Sequence, residues 1–381
     1  MAVVVLAMLE GLFFAAGKVL QRKWGMWSPP RPAQTAKAPV TYEQYLQRRD
    51  PVLGWPYPQE YGAGLGKNGA LPNPHFPNGP LGPSCLSLYG DSFTMGVDDT
   101  TSPDKAWSNV LTAKLGCYVA NFGMGGYGTD QALLRFEGNR TDDAPVVILG
   151  VHTENVMRNL TRIRDLQNYQ SWFALKPRFV FNEQRQIELV AIPTLTKEQY
   201  LRATGIAAPL LALEHENFQP GGAAGAVALE FPFTLAVVKN LVRFHALHAR
   251  LRKQPEWMAF LQPGHPLHGL ETTVGITARF AESATQRGKS PLVVIFPHPQ
   301  DFRYFVANGA WPYRPLVQAY TQAAIPYLDF GPYLISQWKE RGGSLDVYFG
   351  KSAHYTDDGS ALVAKAVHER MRDLRLAPSG R

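Results

Sequence analysis

The sequence predicts an α/β protein, a three-layer α/β/α sandwich built on a flavodoxin-like sheet of five parallel strands. The prediction rests on two observations. Short runs that are apolar throughout, such as residues 145–150 (PVVILG) and 291–296 (PLVVIF), alternate with helical patterns. Such runs are typical of parallel strands buried on both faces, with helices covering the sheet. The alternation stops between residues 160 and 265, which predicts a large insertion after the third strand.

Turn and cap signals place the elements of this sheet in order. Gly116 ends a helix that begins at the Ser102-Pro103 pair, because proline fits the first turn of a helix and glycine its end. Thr129 is predicted to cap the next helix and Asp357 the last one. The predicted strands are residues 85–90, 117–122, 145–150, 291–296 and 327–330, and the predicted helices are residues 102–115, 129–137, 267–288, 313–323 and 358–374.

The predicted insertion, residues 160–265, carries two patterns of its own. Residues 178–181 and 187–190 flank a polar turn and predict a β-hairpin. Residues 234–253 predict an amphipathic helix with two interpretations: the solvated face of a lid helix, or a face for anionic lipid or an acidic glycan. Its apolar stripe consists of Val237, Leu241, Phe244, Leu247 and Leu251, and its basic stripe of Lys239, Arg243, Arg250 and Lys253.

Residues 1–25 are predicted to be a membrane anchor, which a Pro- and Ala-rich linker at residues 26–40 joins to an α/β domain over residues 41–381. A span needs about 20 mostly apolar residues. Glu10 stands at the centre, where a charge is costly in lipid, so the segment looks like the end of an anchor that starts upstream. Basic residues follow the run, which favours a cytoplasmic body. The expected location is the membrane or cell envelope, with the cytoplasmic side left open.

The composition argues against several classes of protein. The 381 residues, 45% of them hydrophobic, suffice for a large core, and the net charge is +7. Only 18% of the residues are charged and long basic runs are absent, so a nucleic-acid partner is not expected. No Cys/His cluster is present, and neither metal nor cofactor is expected. Cys85 and Cys117 open neighbouring strands, where a bridge is geometrically feasible, but two buried thiols are the expected state.

The stretch Gly90-Asp91-Ser92 follows the first predicted strand. Open α/β sheets bind their ligands at the carboxyl ends of the strands, which is where Ser92 would stand. Gly90 permits a sharp turn, and Asp91 can fix that turn through nearby backbone N–H groups. Ser92 is therefore either the N-cap of the following helix or a nucleophile at the edge of the sheet.

Three later stretches give this serine a context. They are Asn121-Phe122-Gly123-Met124-Gly125-Gly126-Tyr127-Gly128, then Gly150-Val151-His152-Thr153-Glu154-Asn155, and finally Ala353-His354-Tyr355-Thr356. Together with the Gly-Asp-Ser turn they resemble the SGNH (GDSL-type) hydrolase family over two blocks, residues 85–160 and 290–375. The resemblance implies that Ser92 is the nucleophile and His354 its base. It also implies an oxyanion hole made by the backbone N–H groups of Ser92 and Gly126 and by a side-chain amide.

The chain departs from the family pattern at that amide. The usual Gly-x-Asn-Asp is replaced by the stretch from Gly150 to Asn155. Asn155 is the predicted donor, and His152 and Asn159 are the alternatives.

A second departure concerns the acid that orients the histidine. The family keeps an Asp three residues before the histidine, and Lys351 stands there. A protonated amine only donates hydrogen bonds, so it cannot accept one from the imidazole. Asp346 is the nearest upstream acid, and a backbone carbonyl or a remote acid could serve instead. The prediction is a Ser92–His354 dyad in which Asp346 is dispensable.

The expected function is that of an acyl-ester hydrolase or O-acyltransferase that forms an acyl-enzyme on Ser92. The resemblance implies short acyl esters of carbohydrates or small molecules, so an ester or glycan substrate is the expected partner. The alternative is a carbohydrate-binding or assembly component that kept the fold and lost activity, which the lysine at position 351 favours.

Overall fold

The computed structural model describes residues 1–24, 41–55, 69–80, 82–96, 102–167, 174–204, 213–219, 222–225, 228–243, 245–341 and 344–376. The predicted linker at residues 26–40 lies outside this part of the chain. The chain divides into two compact units. The first unit comprises Met1–Trp55, Leu160–Arg178 and Ala191–Ala259, and the α/β unit comprises Pro56–Asn159, Phe179–Val190 and Phe260–Arg381.

The α/β unit contains the predicted parallel sheet. Its strands are β1 (Leu86–Tyr89), β2 (Val119–Asn121), β3 (Val146–His152), β6 (Ser290–Phe296) and β7 (Tyr327–Asp329). They form a five-stranded sheet in the order β2-β1-β3-β6-β7, and every neighbouring pair is parallel. β4 (Arg178–Phe181) and β5 (Ile187–Val190) pair in a separate two-stranded sheet, as the hairpin pattern predicted. The predicted fold class is thus confirmed.

Burial explains why these runs form strands of one sheet. All residues of β1 and of β3 are buried, and Leu88, Ile148, Leu292 and Val294 belong to the same core cluster. Full burial of one such side chain contributes roughly 1.5–3 kcal/mol, so a register slip that exposed them would be costly.

The helices in chain order are α1 (Ala2–Trp24), α2 (Tyr42–Arg48), α3 (Ser92–Met95), α4 (Trp107–Leu115), α5 (Thr129–Gly138), α6 (Asn155–Arg158), α7 (Lys197–Thr204), α8 (Phe233–Arg243), α9 (His245–Leu251), α10 (Gly269–Gln286), α11 (Pro299–Asn308), α12 (Arg314–Gln322), α13 (Phe330–Arg341) and α14 (Asp357–Asp373). Gly116 ends α4 in the left-handed conformation, as predicted. Two predicted caps were wrong by one residue. Gly128, not Thr129, precedes α5, and Thr356 caps α14 by accepting from the Gly359 N–H.

The first unit has a small core and most of the predicted insertion. Its core cluster includes Tyr45, Ile163, Leu175, Leu195 and Tyr200, and the rings of Tyr45 and Tyr200 stack at 4.7 Å. The predicted helix over residues 234–253 is described as two helices, α8 and α9, and residue 244 between them lies outside the described residues. Residues 160–178 and 191–259 belong to the same unit as residues 1–55, a grouping that the sequence pattern did not predict.

The two cysteines form a disulfide, which corrects the prediction of free thiols. Cys85 precedes β1 and Cys117 precedes β2, and the two strands pair in parallel from Leu86 and Val119. Parallel pairing therefore places their starts side by side, with the cysteine Cα atoms 6.1 Å apart, within the range that a disulfide spans.

Candidate active site

Ser92 stands where β1 ends at the carboxyl edge of the sheet. Asp91 is the N-cap of α3, and its Oδ1 accepts a hydrogen bond from the Phe93 N–H at 2.9 Å. Ser92 is therefore the first helical residue and not the cap. A Cβ at Gly90 would lie 1.9 Å from Thr94 Oγ1, so only glycine lets the chain turn this tightly over the sheet.

The structure brings Ser92 and His354 together. The Oγ of Ser92 lies 2.7 Å from Nε2 of His354, across 262 residues of sequence. His354 lies in the loop between the bridged residues Phe349 and Tyr355, and its carbonyl accepts from the Gly350 N–H at 2.8 Å. Its ring is also 5.0 Å from that of Phe93. In the tautomer with the proton on Nδ1, Nε2 accepts the Ser92 hydroxyl proton, which is the arrangement of a serine nucleophile with its base.

The predicted orienting acid has a different partner. Asp346 is exposed in the 3₁₀ turn Leu345–Val347 and accepts one hydrogen bond from the Ser344 hydroxyl, while its own N–H donates to Ser344 Oγ at 3.3 Å. Lys351 is exposed. Asp346 is therefore hydrogen-bonded within its own turn, and the structure does not place it beside His354.

A buried ion pair involves Asp91, the residue before Ser92. Arg158 of α6 is 6% exposed, and its Nη1 donates to Asp91 Oδ2 at 2.9 Å and to the Tyr127 carbonyl at 3.1 Å. Burial raises the pKa of Asp91, against the lowering effect of Arg158. Burial would lower the pKa of Arg158, but Glu154 and Asp91 raise it overall, so the guanidinium stays charged. Sequence reasoning missed this pair, and the only local signal was the Glu154–Arg158 spacing on one helical face.

The glycine-rich loop after β2 is fixed against α3. The Asn121 side-chain amide donates to the carbonyls of Thr94 at 2.9 Å and Met95 at 3.2 Å. A Cβ at Gly123 would lie 2.4 Å from the Met95 nitrogen, so the loop approaches α3 as closely as glycine allows. Gly126 is partly exposed with φ of 77°, a conformation that favours glycine.

The side-chain amide predicted as the third donor of the oxyanion hole is buried. Asn155 is 0% exposed, and neither of its side-chain polar atoms has a hydrogen-bond partner among the described residues. Glu154, one residue earlier, is partly exposed and pairs with Arg158 at 3.4 Å. The role of Asn155 as the third donor stays a prediction.

The two alternative donors are engaged elsewhere. His152 is buried, stacks on Phe93 with ring centroids 3.8 Å apart, and has Nδ1 3.7 Å from Asp91 Oδ2. Asn159 accepts from the Thr129 N–H at 2.9 Å and donates to Thr273 Oγ1 at 3.0 Å. Asn159 thus ties the start of α5 to α10 and belongs to the scaffold.

His298, at the end of β6, was missed by sequence reasoning. It caps α11, and its Nδ1 accepts from the Gln300 N–H at 3.0 Å. Burial lowers the pKa of His298 to about 4, so the ring is neutral at pH 7 and its proton is on Nε2. Its backbone N–H donates to Asp301 Oδ2 at 2.8 Å, and Thr153 donates to the same carboxylate. The centroids of the His298 and His152 rings are 5.4 Å apart.

Comparisons with known proteins gave matches among solved structures alone. No protein-family model matches the chain, and no curated protein is significantly similar to it. Similar solved structures include a member of the lipolytic G-D-S-L family from Veillonella parvula DSM 2008, at 13% identity and a TM-score of 0.34, covering 74% of this chain and 96% of that one. A psychrotrophic esterase from Pseudoalteromonas sp. is similar at 9% identity and a TM-score of 0.36, with 76% and 97% covered. A two-domain esterase active on acetylated mannans has 11% identity and a TM-score of 0.36, with 78% of this chain but 51% of that protein covered.

The chain has an α/β fold with a five-stranded parallel sheet in the order β2-β1-β3-β6-β7. The nucleophile candidate follows the first strand of that fold, the glycine loop follows the second, and the histidine precedes the last helix. At these identities and TM-scores the likeness carries no information on activity or substrate. What the site can do must therefore follow from its own geometry.

Proposed function

We propose that this protein is a serine-dependent enzyme that acts on ester bonds through an acyl-enzyme on Ser92. The observation that supports the proposal best is the 2.7 Å contact between Ser92 Oγ and His354 Nε2 at the carboxyl edge of the sheet. A serine hydroxyl needs a base within this distance to become a useful nucleophile.

The reaction follows from this contact in two halves. Ser92 Oγ attacks the ester carbonyl while His354 Nε2 takes its proton, and the backbone N–H groups of Ser92 and Gly126 stabilise the oxyanion. His354 then returns the proton to the leaving alcohol, and the ester acyl group stays on Ser92. In the second half, water or an acceptor hydroxyl loses a proton to His354 and attacks the acyl-enzyme. The bond between Ser92 Oγ and the acyl group then breaks, His354 returns the proton to Ser92 Oγ, and the free acid or the new ester leaves. Water gives a hydrolase and an acceptor hydroxyl gives an O-acyltransferase.

The substrate class is a further part of the proposal. Short acyl esters of carbohydrates or small molecules are what the family resemblance of the motifs implies. Turnover of aryl acetates and of an acetylated glycan, each with and without an unacetylated glycan acceptor, separates hydrolysis from transfer. Release of free acetate that an acceptor does not reduce indicates a hydrolase.

A fluorophosphonate probe tests the nucleophile directly. We expect labelling of the protein as it is, loss of labelling and of aryl-acetate turnover in Ser92→Ala, and unchanged labelling in Ser336→Ala. Ser336 is an exposed serine of α13 whose hydroxyl bonds the Tyr333 carbonyl, so it serves as the matched control. Normal turnover by folded Ser92→Ala would refute the assignment.

The second candidate function is that of a non-catalytic carbohydrate-binding or assembly component. The lysine at position 351, where the family keeps its acid, favours it. A well-folded protein that the probe does not label, but that binds glycans, would support this candidate.

The proposed location is the membrane or cell envelope, with the α/β unit on an oxidising side. The disulfide between Cys85 and Cys117 supports the oxidising side, because cytosolic thiols are kept reduced. The apolar helix α1 supports the anchor, although a signal sequence has the same composition.

A further inference from the structure

α1 is long and apolar enough to cross a membrane. Residues Ala2–Arg22 have a mean hydropathy of 2.0, and only 6% of this segment is buried in the structure. Leu6, for example, is 61% exposed. A soluble protein rarely leaves so many large apolar side chains on one surface, so lipid is the expected surrounding of α1.

Glu10, the one acidic residue of α1, has hydrogen-bond partners in the structure. The carboxylate of Glu10 accepts hydrogen bonds from the backbone N–H of Phe233, from the Thr234 N–H and from the Thr234 hydroxyl. These groups form the first turn of α8, and the ring of Phe14 lies 4.8 Å from that of Phe233. A carboxylate at a helix N-terminus satisfies free N–H groups and is favoured by the helix dipole.

This contact fixes the start of α8 at the depth of Glu10. Glu10 is eight residues after Ala2 and twelve before Arg22, which at 1.5 Å per residue is about 12 Å and about 18 Å along the helix. The hydrocarbon core of a bilayer is about 30 Å thick. When Ala2–Arg22 spans the bilayer, Glu10 and the first turn of α8 therefore lie within hydrocarbon.

The exposed surface of α8 is mainly apolar, as a position within hydrocarbon requires. Its exposed apolar residues recur at the spacing of one helical face: Leu235, Val238, Leu241 and Val242. Val242 is 69% exposed. The opposite side is buried and contains Ala236, Val237 and Asn240, whose side-chain amide donates to the Ala236 carbonyl at 2.9 Å. Lys239 is exposed, and its long side chain can reach the headgroups of anionic lipid.

We infer that α8 is a second membrane element, whose exposed face of Leu235, Val238, Leu241 and Val242 contacts acyl chains beside α1. Glu10 joins the two helices at their point of contact. This inference concerns the first unit alone and is independent of the chemistry proposed for Ser92. It selects the lipid interpretation of the amphipathic pattern over a solvated lid helix.

Site-specific fluorescence tests the inference in the full-length chain. The native cysteines form a disulfide, so a single introduced cysteine can be labelled selectively. Leu6→Cys, Val238→Cys and Val306→Cys are labelled with a polarity-sensitive dye and reconstituted in vesicles of phosphatidylethanolamine and phosphatidylglycerol. Val306, an exposed valine of α11 in the α/β unit, reports on non-specific adsorption.

We expect acyl-chain-brominated lipids to quench the labels at positions 6 and 238 to a similar extent and to leave the label at position 306 unquenched. Quenching at position 6 without quenching at 238 would overturn the inference, and so would equal quenching at all three positions or at none.

The role of Glu10 has its own test. In the Val238→Cys background, Glu10→Ala is expected to reduce quenching at position 238, whereas Glu10→Gln, which keeps a hydrogen-bond acceptor, retains more of it. Circular dichroism establishes that both variants are folded. Unchanged quenching in folded Glu10→Ala would show that the carboxylate does not hold α8 at this depth.

Discussion

Arg158 is the residue whose removal we expect to affect the site most without touching the reacting atoms. Its guanidinium is the cation beside Asp91, which is 0% exposed, and it also holds the Tyr127 carbonyl. Arg158→Leu leaves a buried carboxylate without its counter-ion. Breaking one side of a buried ion pair typically costs about 3–5 kcal/mol, so we expect a loss of this size in the free energy of unfolding at pH 7.

The loss should depend on pH, with a defined sign. Burial already raises the pKa of Asp91 in the folded protein above its ordinary value of 3.8. Without Arg158 that pKa rises further, so the folded variant binds a proton that the unfolded chain releases. The stability of Arg158→Leu therefore falls as the pH rises above about 4, and the loss is smallest below that pH, where Asp91 is protonated in both states.

Urea unfolding at pH 4 and pH 7 measures both effects, and a double-mutant cycle with Asp91→Asn assigns them to the pair. The double variant should recover much of the lost stability at pH 7, because no buried charge remains. Arg279→Leu is the matched control: Arg279 pairs with Glu137 at 2.8 and 2.9 Å but is 42% exposed, so about 1 kcal/mol or less is expected. A loss in Arg158→Leu no larger than this, or no recovery in the double variant, would refute the reasoning.

Three further changes have defined outcomes. Asp346→Asn should lower kcat for aryl acetates less than tenfold, under about 1.4 kcal/mol, and a 10³-fold loss would instead assign Asp346 to a triad. Gly123→Ala should reduce kcat and destabilise the α/β unit, because its Cβ would lie 2.4 Å from the Met95 nitrogen; Gly138→Ala, where a Cβ meets nothing within 4 Å, is the control. Because burial lowers the pKa of His298 to about 4, the unfolded chain binds a proton between pH 6.5 and 4 that the folded protein does not bind. The protein should therefore lose stability on the order of 2 kcal/mol as the pH falls over this range. His298→Asn should reduce this loss. If the pH dependence of urea unfolding were unchanged in His298→Asn, His298 would not be the source of this loss of stability.

The sheet was predictable because its signal is local. The runs at residues 145–150 and 291–296 are apolar throughout, and the other strands are short and mainly apolar. Right-handed connections through helices leave few ways to arrange such strands. The pairing of Ser92 with His354 was accessible through motif resemblance, although no local pattern links residues 262 positions apart. The disulfide was not predictable, because neighbouring strands permit a bridge between Cys85 and Cys117 without requiring one.

Other features depend on contacts that the sequence does not encode locally. The burial of Asn155 depends on where β3 ends and α6 begins, a boundary that pattern reasoning does not resolve to one residue. The partnership of Glu10 with the start of α8 spans 223 residues. From the sequence alone, Glu10 is a charge in an apolar segment, which is costly in lipid. Its partner is apparent only from the tertiary contact.

The contacts around Ser92 bear on the proposed Ser92–His354 dyad, in which Lys351 stands where the motif resemblance would place an acid. Asp91 is held by Arg158 and fixes the first turn of α3, while Asn121 bonds the carbonyls at the end of the same helix. These contacts restrict Ser92 from both sides. Packing restricts His354, because its ring lies 5.0 Å from Phe93, which itself stacks on His152. In the proposed dyad, buried contacts position Ser92 and ring packing helps to position His354, and positioning of this kind can supply a large part of a rate enhancement.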